Sequence, residues 1–521
     1  MLIQAFSENL WLYPDTPLTA PTASVSLDAA RGGMVCLQLL TDKTFDDAAP
    51  LSVSWENAFS LRPTLYQLLP VCADKNSGKD VLTGPYEDVK EFAAREAPFD
   101  VFDAMREPKD GLLSPGRCAF FIRLEIDRDC SAGEKKIGLT LTAGNETAHI
   151  DLLLTVHKAL IPPLDQANFG MVNWIYTEKL CRQYGVEAGS PEYIRVLDQH
   201  LTNEIEMRNT HLQLPSGEPI RDENGKIIGF DFTLAELVGN MALAKGFNCI
   251  MGGFVARFAK WDDPEHFLLW DREVSIASHE GYRQLKLYFE GIRETVLANG
   301  WGDQYMQTLV DEPQFPNSEH YRILSSICRK FLPGVPIHDP VESTQLDGAL
   351  EIWCVKQAVF EKYLDEFKAL QELGEEMWLY TCGFPAGKMM NRVLDLPLTA
   401  SRLPMWLCRL YGCTGFLHWG YNYNSDDPFA VTANPVSDGI NYPPGNANII
   451  YPSADGPLWS VRAHLQRAGA EDWELLDQLY ERDPTRAEEL INSVCRDFSD
   501  YTMNGLDVDK ARQALLIELD K

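Results

Sequence analysis

Two neighbouring carboxylic acids, Asp311 and Glu312, follow the apolar segment 305–310 and precede Pro313. Like charges placed side by side repel each other, so a folded protein keeps such a pair in a pocket only if other contacts offset the cost. Acid–base chemistry on a sugar is one common use, because it needs two carboxyl groups in different protonation states. The alternative is a strand that runs into a polar loop, and the tripeptide alone does not exclude it.

The backbone after this strand decides whether both carboxylates reach one pocket, because neighbouring strand residues point to opposite faces. Pro313 ends strand pairing and is expected to hold Glu312 in an extended or polyproline-like backbone, so that the chain turns out of the sheet. Ordinary retaining glycosidases separate their two carboxyl groups by about 5–5.5 Å across the scissile bond. An adjacent pair instead favours substrate-assisted cleavage, in which a 2-acetamido oxygen of the sugar is the nucleophile. One carboxylate then orients the amide N–H, the other protonates the leaving oxygen, and the two titrate as a coupled pair.

The chain around this pair alternates between strand and helix patterns. Two prolines in the segment 161–164 mark a linker, since neither fits a helix interior or a central strand. After it, short apolar segments predict strands at 169–176, 211–214, 247–252, 305–310, 335–338, 350–355, 377–381 and 415–419. Helical patterns separate them, and eight alternations over roughly 300 residues predict a (β/α)8 barrel. An open doubly wound sheet is the alternative, but no Gly-x-Gly-x-x-Gly motif follows the first strand.

The two ends of the chain have different patterns. Residues 1–160 contain short alternating apolar segments separated by Gly, Pro, Asp and Asn, which predicts a β-sandwich. From residue 457 onward the pattern is that of amphipathic helices. We therefore predict a multidomain α/β protein with a β-sandwich at 1–160, a catalytic (β/α)8 TIM barrel at 165–456 and a helical tail at 457–521 packed on the barrel.

The C-terminal ends of the predicted strands are rich in aromatic and amide side chains. In a barrel of this kind the active site lies at those ends. Aromatic rings pack on the C–H faces of sugars, while amide and phenol groups bond hydroxyls, so this composition favours a carbohydrate ligand. Any one of these aromatic side chains could equally belong to the core. The candidate substrate-binding residues are Asn173, Trp174, Trp353, Tyr380, His418, Trp419 and Tyr421.

Composition restricts the partners and the location. With 46 Lys and Arg against 76 Asp and Glu, the formal net charge is −30. Such an acidic surface repels phosphate backbones and anionic lipids, so we expect a small glycan, no nucleic acid and no membrane as partner, with a homo-oligomer left open. The N-terminus has no basic segment followed by an apolar one, and the 12 cysteines form no Cys-x-x-Cys pair, which favours a cytoplasmic location with reduced thiols. No clustered His and Cys ligand spacing is present, so neither a metal nor a cofactor is expected.

Four segments of this sequence resemble glycoside hydrolase family 123 in their order and spacing, over about residues 165 to 480. They are Leu309-Val310-Asp311-Glu312-Pro313, Trp378-Leu379-Tyr380-Thr381-Cys382, Gly415-Phe416-Leu417-His418-Trp419-Gly420-Tyr421-Asn422-Tyr423 and Tyr451-Pro452-Ser453-Ala454-Asp455-Gly456-Pro457. The resemblance implies a retaining β-N-acetylgalactosaminidase with an N-terminal β-sandwich and a (β/α)8 catalytic domain. It implies that Glu312 is the general acid/base and that Asp311 stabilises an oxazolinium intermediate. By the same resemblance Tyr380 would bond the acetamido oxygen, and Trp419 and Tyr421 would line the sugar pocket.

The sequence departs from the family at one segment and leaves three hypotheses. Residues 250–254 lack the Glu and His that the family pattern has around its Gly-Gly pair. The leading hypothesis is a retaining exo-β-N-acetylgalactosaminidase that uses substrate-assisted catalysis on short glycans. A second is a glycosidase of the same fold that acts on another β-hexosaminide, or on a sugar without an acetamido group, where a separate carboxylate such as Asp339 would be the nucleophile. The third is a carbohydrate-binding protein without catalytic activity, which the intact Asp311-Glu312 pair disfavours.

Overall fold

The computed structural model describes residues 1–57, 61–78, 91–385, 387–437 and 439–521. These residues divide into two compact units. The first unit consists of Met1–Gln166, Cys382–Tyr411 and Asn422–Lys521, and the second of Ala167–Thr381 and Gly412–Tyr421.

Strands and helices share the chain in an uneven distribution, with strands dominating the first 160 residues and helices the last 60 or so. The strands are β1 (Ile3–Ser7), β2 (Ser24–Arg31), β3 (Met34–Phe45), β4 (Ala49–Glu56), β5 (Leu61–Ala73), β6 (Phe99–Arg106), β7 (Leu112–Leu113), β8 (Gly116–Ile126), β9 (Gly133–Ala143), β10 (Glu146–Leu160), β11 (Gly170–Asn173), β12 (His211–Gln213), β13 (Glu218–Arg221), β14 (Ile227–Asp231), β15 (Cys249–Gly252), β16 (Ala256–Arg257), β17 (Phe267–Leu268), β18 (Tyr305–Gln307), β19 (His338–Val341), β20 (Ile352–Lys356), β21 (Glu376–Thr381), β22 (Gly415–His418), β23 (Pro435–Ser437), β24 (Ile440–Asn441), β25 (Ile450–Tyr451) and β26 (Leu458–Ser460). The α-helices are α1 (Thr177–Tyr184), α2 (Pro191–Glu206), α3 (Thr233–Lys245), α4 (His279–Asn299), α5 (Ser318–Phe331), α6 (Gln357–Lys362), α7 (Leu364–Glu372), α8 (Leu403–Leu410), α9 (Val461–Arg482), α10 (Pro484–Asn492) and α11 (Gly505–Asp520).

Two sheets of the first unit share one apolar core. One sheet has the order β1-β3-β8-β5-β6-β26-β25, and the other has the order β2-β10-β9-β4-β7. In β4 and β10 less exposed and more exposed side chains alternate, because successive strand residues point to opposite faces. Leu39 of β3 and Phe120 of β8 belong to the same buried cluster as Leu139 of β9 and Leu152 of β10. The large N-terminal sheet region predicted from this alternation is therefore present.

The C-terminal helices pack within the first unit around a buried carboxylate. Asp472 of α9 accepts from Arg402 Nε at 2.6 Å, from Trp406 Nε1 at 2.9 Å and from Arg512 Nε of α11 at 3.0 Å. Buried ions are retained only when they are paired and hydrogen-bonded in this way. The chain is thus helical at its C-terminus, as predicted, while the domain bounds 1–160, 165–456 and 457–521 stay a prediction.

The second unit is built on parallel strands, and each of the eight predicted strand segments overlaps one of them. Five strands pair in the order β11-β22-β21-β20-β19, and three pair in the order β12-β15-β18. All the pairings inside these two sheets are parallel. A parallel bridge joins Gln307 of β18 to Ile337, the residue before β19. The C-terminal ends of β18 to β21 therefore meet along one edge.

Helix ends in this unit follow the capping preferences of their residues. Ser190 precedes α2, and its hydroxyl accepts from the N–H of Tyr193, while Pro191 opens the helix. Helix α4 begins in the same way after Ser278 and ends at Gly300, whose φ of 65° is the left-handed conformation that a glycine adopts at low cost.

Among the described helices, none has both the length and the apolar composition needed to cross a membrane.

Trp378 of β21 fills space that two glycines leave open, one on the adjacent strand β22 and one on β11, the strand beyond it. Its indole packs edge-to-face against His211 at 5.0 Å and His338 at 4.9 Å. A Cβ added to Gly170 of β11 or to Gly415 of β22 would collide with this ring. Glycine is therefore required at these two strand positions because any larger side chain would occupy the space of the Trp378 indole.

We predict that Gly415→Ala lowers the thermal unfolding midpoint, because the rigid indole of Trp378 cannot move away from the new methyl group. Overpacking of this kind costs about 1–3 kcal/mol. Gly229→Ala is the matched control, since the nearest atom, Cδ1 of Ile220, lies 3.9 Å from the added Cβ. Equal midpoints for the two variants would contradict the packing role of Gly415.

Candidate active site

The segment that carries Asp311 and Glu312 leaves β18 and runs beside the end of β19. The backbone N–H of Glu312 donates to the carbonyl of Pro340 at 3.1 Å, and the N–H of Glu342 donates to the carbonyl of Pro313 at 3.0 Å. These bonds continue the parallel contact between the two strands past their regular ends. The carboxylate pair is therefore fixed at the C-terminal edge of the sheet, where the barrel prediction expected it.

Glu312 has a left-handed backbone, with φ of 53°. The prediction that Pro313 holds Glu312 in an extended or polyproline-like conformation was wrong. Asn57 and Arg208 are the other non-glycine residues with positive φ in the described part of the chain. A left-handed residue with a Cβ costs about 1–2 kcal/mol, and such strain persists only where surrounding contacts impose it. We infer that the side-chain contacts of Glu312 offset the steric cost of its left-handed backbone.

The carboxylate of Glu312 is held by two side chains from the next strands of the sheet. Lys356, at the end of β20, places its Nζ 2.9 Å from Oε1, and the hydroxyl of Tyr380 in β21 donates to the same oxygen at 2.5 Å. Lys356 also forms an ion pair with Glu342, and its side chain is only 5% exposed. Because Lys356 and Tyr380 are paired in register, a single strand spacing places both against Glu312. We refer to Asp311, Glu312, Glu342 and Lys356 as the carboxylate cluster.

The carboxylate cluster has three acids for one base. Burial, followed by the charge of Glu312, raises the pKa of Asp311 well above its usual range, and the Lys356 ammonium opposes this shift only in part. Burial and the charge of Glu312 also raise the pKa of Glu342. Since one ammonium cannot compensate three neighbouring carboxylates, of which Glu312 is buried and Asp311 and Glu342 are half-buried, the cluster retains a proton at pH values where exposed acids have lost theirs. Such a proton can be given to a leaving group.

Some predicted substrate-binding residues lie at the same strand ends as the cluster. Tyr380 contacts Glu312 directly. Trp419, which follows β22, is partly exposed and packs edge-to-face on Tyr176 at 6.3 Å. Trp174, which follows β11, packs edge-to-face on Phe254 at 5.4 Å, and its indole N–H has no hydrogen-bond partner among the described residues.

Asn173 and Tyr421 are fully buried and bonded to other protein groups. The side-chain amide of Asn173 donates to Asn209 Oδ1 at 3.0 Å. The hydroxyl of Tyr421 lies 3.2 Å from Nδ1 of His200 in α2. These contacts tie β11 and β22 to their neighbours, so both residues support the strand ends from inside the protein.

His418 and Trp353 are also fully buried. Nδ1 of His418 accepts from the N–H of Gly420 at 3.0 Å. The indole N–H of Trp353 donates to Glu375 at 3.0 Å, and its ring packs edge-to-face on Phe367 of α7. Because Glu375 precedes β21, this indole N–H lies at the amino-terminal ends of the strands, and the structure does not bring Trp353 to Glu312.

The Gly-Gly segment at the end of β15 has a packing explanation. A Cβ on Gly252 would collide with the hydroxyl of Tyr305, and one on Gly253 would collide with Ser216. Both glycines therefore permit close approach of neighbouring strands and loops. Their presence at residues 250–254 is accounted for without a contact to substrate.

Asp339 of β19 is occupied by other groups. Its carboxylate accepts from the N–H of Leu309 at 2.8 Å and 3.1 Å, one distance to each oxygen, and from the hydroxyl of Tyr321 at 2.7 Å. Burial raises the pKa of Asp339 well above its usual range. A carboxyl that anchors the end of β18 in this way is poorly suited to act as a separate nucleophile.

A group that could hold a metal ion occurs in the first unit and consists of Glu8, Cys36 and His464, whose ligand atoms lie within 4.8 Å of one another. The carboxylate of Glu8 is already bonded to Arg402 at 2.8 Å and to His464 at 3.0 Å. Burial alone would raise the pKa of Glu8, but the His464 hydrogen bond and the Arg402 charge lower it to about 2. The donor set is thus used by a buried ion-pair network.

Sequence reasoning missed Glu342 and the role of Lys356. Lys356 directly follows the sixth predicted strand, and a lone cation at a strand end was the available signal. Glu342 belongs to no recognisable motif, and only the fold brings it to Lys356.

We predict that Asp311→Asn stabilises the protein, and that the gain grows with pH. The folded-state pKa of Asp311 is raised. Its carboxyl therefore does not change the free energy of unfolding below the unfolded-state pKa of about 3.9, and lowers it as pH rises from there toward the folded-state pKa. The unfolding midpoint of the variant should therefore exceed that of wild type by more at pH 7.5 than at pH 4. Asp129→Asn, at an exposed position, is the control. A midpoint difference that is constant or falls with pH would contradict the charge crowding.

Comparison with known proteins adds independent findings. The family model described as glycoside hydrolase 123, catalytic domain, matches residues 174–479. A family 123 glycoside hydrolase from Clostridium perfringens, studied for glycolipid glycan hydrolysis, has a similar structure, with a TM-score of 0.77, 14% sequence identity, and coverage of 99% of this chain and 98% of that chain. No curated protein matches the sequence.

Two further solved structures are similar over part of their length but have TM-scores too low to carry an argument. One is a β-D-glucuronidase from Dictyoglomus thermophilum, with a TM-score of 0.35, 11% identity, and coverage of 83% of this chain and 70% of that chain. The other is an endo-β-1,4-mannanase from Thermotoga petrophila, with a TM-score of 0.36, 14% identity, and coverage of 60% of this chain and 78% of that chain.

The family model spans more than half of the chain and includes the whole carboxylate cluster. The resemblance identified from the sequence is confirmed, and the mixed α/β fold with an N-terminal sheet region agrees with that of the Clostridium perfringens structure. The chain belongs to glycoside hydrolase family 123 and is a glycoside hydrolase.

Proposed function

We propose that this protein is a retaining exo-β-N-acetylgalactosaminidase that uses substrate-assisted catalysis. The observation that carries the proposal is the adjacency of Asp311 and Glu312 beside the buried ammonium of Lys356, while Asp339 is occupied by Leu309 and Tyr321. Because Asp339 is occupied in this way and Glu342 is paired with Lys356, the acetamido carbonyl oxygen of the substrate is the best candidate for the nucleophile. Short glycans, including the oligosaccharide chains of glycolipids, are the proposed substrate class.

In the first step the acetamido oxygen attacks C1, the bond from C1 to the leaving oxygen breaks, and that oxygen takes a proton from the carboxyl of Glu312. Asp311 accepts the amide N–H and offsets the positive charge of the oxazolinium. In the second step water attacks C1, the bond between C1 and the acetamido oxygen breaks, and the water proton passes to Glu312, which restores the acetamido group and the acid with retained configuration. At the start of the first step, Glu312 must therefore be protonated while Asp311 is ionised.

Substrate binding supplies a reason for that difference. In the free protein, burial favours the neutral form of Asp311. A hydrogen bond donated by the substrate amide favours its charged form, so the shared proton moves toward Glu312 when the acetamido group binds. The Lys356 ammonium forms ion pairs with both Glu312 and Glu342.

The surrounding residues receive matching roles. Tyr380 would exchange its bond to Glu312 for one to the acetamido oxygen, and Trp419 and Trp174 would line the sugar pocket. Tyr421, Asn173 and His418 would hold these side chains in place from within the protein, and Trp353 is the predicted residue that this proposal leaves out.

We also propose that the two parallel sheets of the second unit form one (β/α)8 barrel. The bridge between Gln307 and Ile337 supports continuity on one side. On the other side, the N–H of Thr210, just before β12, donates to the carbonyl of Met171 in β11 at 3.0 Å. The cytoplasmic location and the small-glycan partner predicted from the sequence belong to the same proposal.

We predict that Glu312→Gln and Asp311→Asn have different dependences on the leaving group of aryl β-N-acetylgalactosaminides. Loss of a general acid costs about 10²–10⁴-fold when the leaving group needs a proton, so Glu312→Gln should retain activity on dinitrophenyl glycosides and lose it on poor leaving groups. Asp311→Asn should lose activity on both, because oxazolinium formation needs its charge in either case. The measurement is kcat/KM, with Glu319→Gln as an exposed control. Leaving-group dependence in Asp311→Asn instead would exchange the two roles.

We predict that Lys356→Met shifts the bell-shaped pH profile of kcat/KM to higher pH. The ammonium lowers the pKa of Asp311 and of Glu342, so its removal raises the proton affinity of the cluster, on the order of one pH unit for each 1.4 kcal/mol of lost interaction. Lys368→Met, at an exposed position, should leave the profile in place. A shift of the Lys356→Met profile to lower pH would contradict this electrostatic role.

A further inference from the structure

Trp261 is a large apolar side chain that remains 53% exposed. Other tryptophans of the second unit, such as Trp301, Trp353 and Trp378, are almost fully buried. An indole left half in water forgoes part of its burial free energy, so a tryptophan exposed beside a catalytic site points to a ligand. Trp261 lies between the short strands β16 and β17.

The exposed indole is held rigidly. Phe258 packs edge-to-face against it at 5.1 Å with an interplanar angle of 90°. With its amide oriented to satisfy both bonds, Gln314 donates to the carbonyl of Trp261 at 2.9 Å and accepts from its indole N–H. The N–H of Gln314 donates to Asn317 at 2.8 Å, and the Asn317 amide donates to the carbonyl of Asp263 at 3.1 Å. A ring that is both exposed and immobilised loses little entropy when it binds a ligand.

These contacts connect Trp261 to the catalytic segment. Gln314 is the second residue after Glu312, so one loop carries the proposed acid and the residue that orients the indole. Nζ of Lys356 lies 5.7 Å from the ring centroid of Trp261 and 2.9 Å from Glu312. The aromatic ring therefore borders the carboxylate cluster.

We propose that Trp261 is the binding platform for the sugar on the leaving-group side of the scissile bond. This inference rests on the proposed function, because it takes Glu312 as the group that protonates the glycosidic oxygen. The leaving sugar is attached to that oxygen and must lie beside Glu312, where the exposed ring of Trp261 is available. The ligand is a pyranose that presents a C–H face, and the aromatic platform gives the enzyme a preference for glycans over substrates without a second ring.

The kinetic test compares a β-linked disaccharide with a terminal N-acetylgalactosamine against the β-fluoride of N-acetylgalactosamine, whose leaving group has no ring. For Trp261→Ala we expect kcat/KM on the disaccharide to fall about tenfold or more, which corresponds to about 1.4 kcal/mol, and kcat/KM on the fluoride to stay within about twofold. Trp261→Phe should recover part of the loss. Leu373→Ala, which changes a side chain that is 81% exposed, is the control and should affect neither substrate.

Two results would overturn the platform. Equal losses on both substrates would mean that Trp261 serves the carboxylate cluster and not the leaving sugar, and no loss on either would mean that the ring binds nothing.

A binding measurement separates this inference from the proposed function. Calorimetry of the disaccharide and of free N-acetylgalactosamine with Glu312→Gln, alone and combined with Trp261→Ala, needs no turnover. Weaker binding of the disaccharide alone supports the platform even if wild type hydrolyses neither substrate, in which case the proposed function fails and the platform stands. Unchanged binding of the disaccharide would reject the platform.

Discussion

A single buried ammonium group, that of Lys356, holds the candidate active site together. It lies between Glu312 and Glu342, and four successive strands of the second unit each bring one member of this arrangement: Glu312 follows β18, Glu342 follows β19, Lys356 ends β20 and Tyr380 lies in β21. Buried charges of one sign are tolerated only with a partner, and removing that partner is far more costly than never having the pair. Strand order, strand length and the positions of the loop residues are all constrained by the need to bring these side chains together.

The same constraint explains two costs that the protein tolerates. Glu312 adopts a left-handed backbone, and Asp311 carries a carboxyl whose charged form is disfavoured by burial and by its neighbour. Each would be a defect in a structural element. In a glycosidase both are useful, because the first turns adjacent side chains toward one cluster and the second keeps a proton available. Strain and charge are thus concentrated at the candidate active site.

The parallel strands could be predicted because short apolar segments alternate with helical patterns along the chain, and this alternation is typical of parallel sheets. The Asp311-Glu312 pair could be identified because local sequence alone placed it at a strand end. The left-handed backbone of Glu312 could not be predicted. The rule for residues before proline considers only the neighbouring residues, whereas the contacts of Glu312 with Lys356 and Tyr380 come from distant parts of the sequence. Trp353 and Tyr421 looked like pocket residues since sequence does not reveal which way a strand-end side chain points. Trp261 was overlooked because it lies in a loop without a periodic pattern, so there was no predicted strand end at which to place it.

We propose that the adjacent carboxylates around one ammonium leave the substrate to provide the nucleophile. The most direct test is the rate of hydrolysis of aryl N-acetylgalactosaminides whose acetamido group carries zero, one, two or three fluorine atoms. Fluorine withdraws electrons from the carbonyl oxygen without a large change in size. We predict that kcat/KM falls steeply and steadily with each fluorine, as it must if that oxygen attacks C1. Rates that are independent of fluorine content would show that a protein group or water attacks, and would contradict the account.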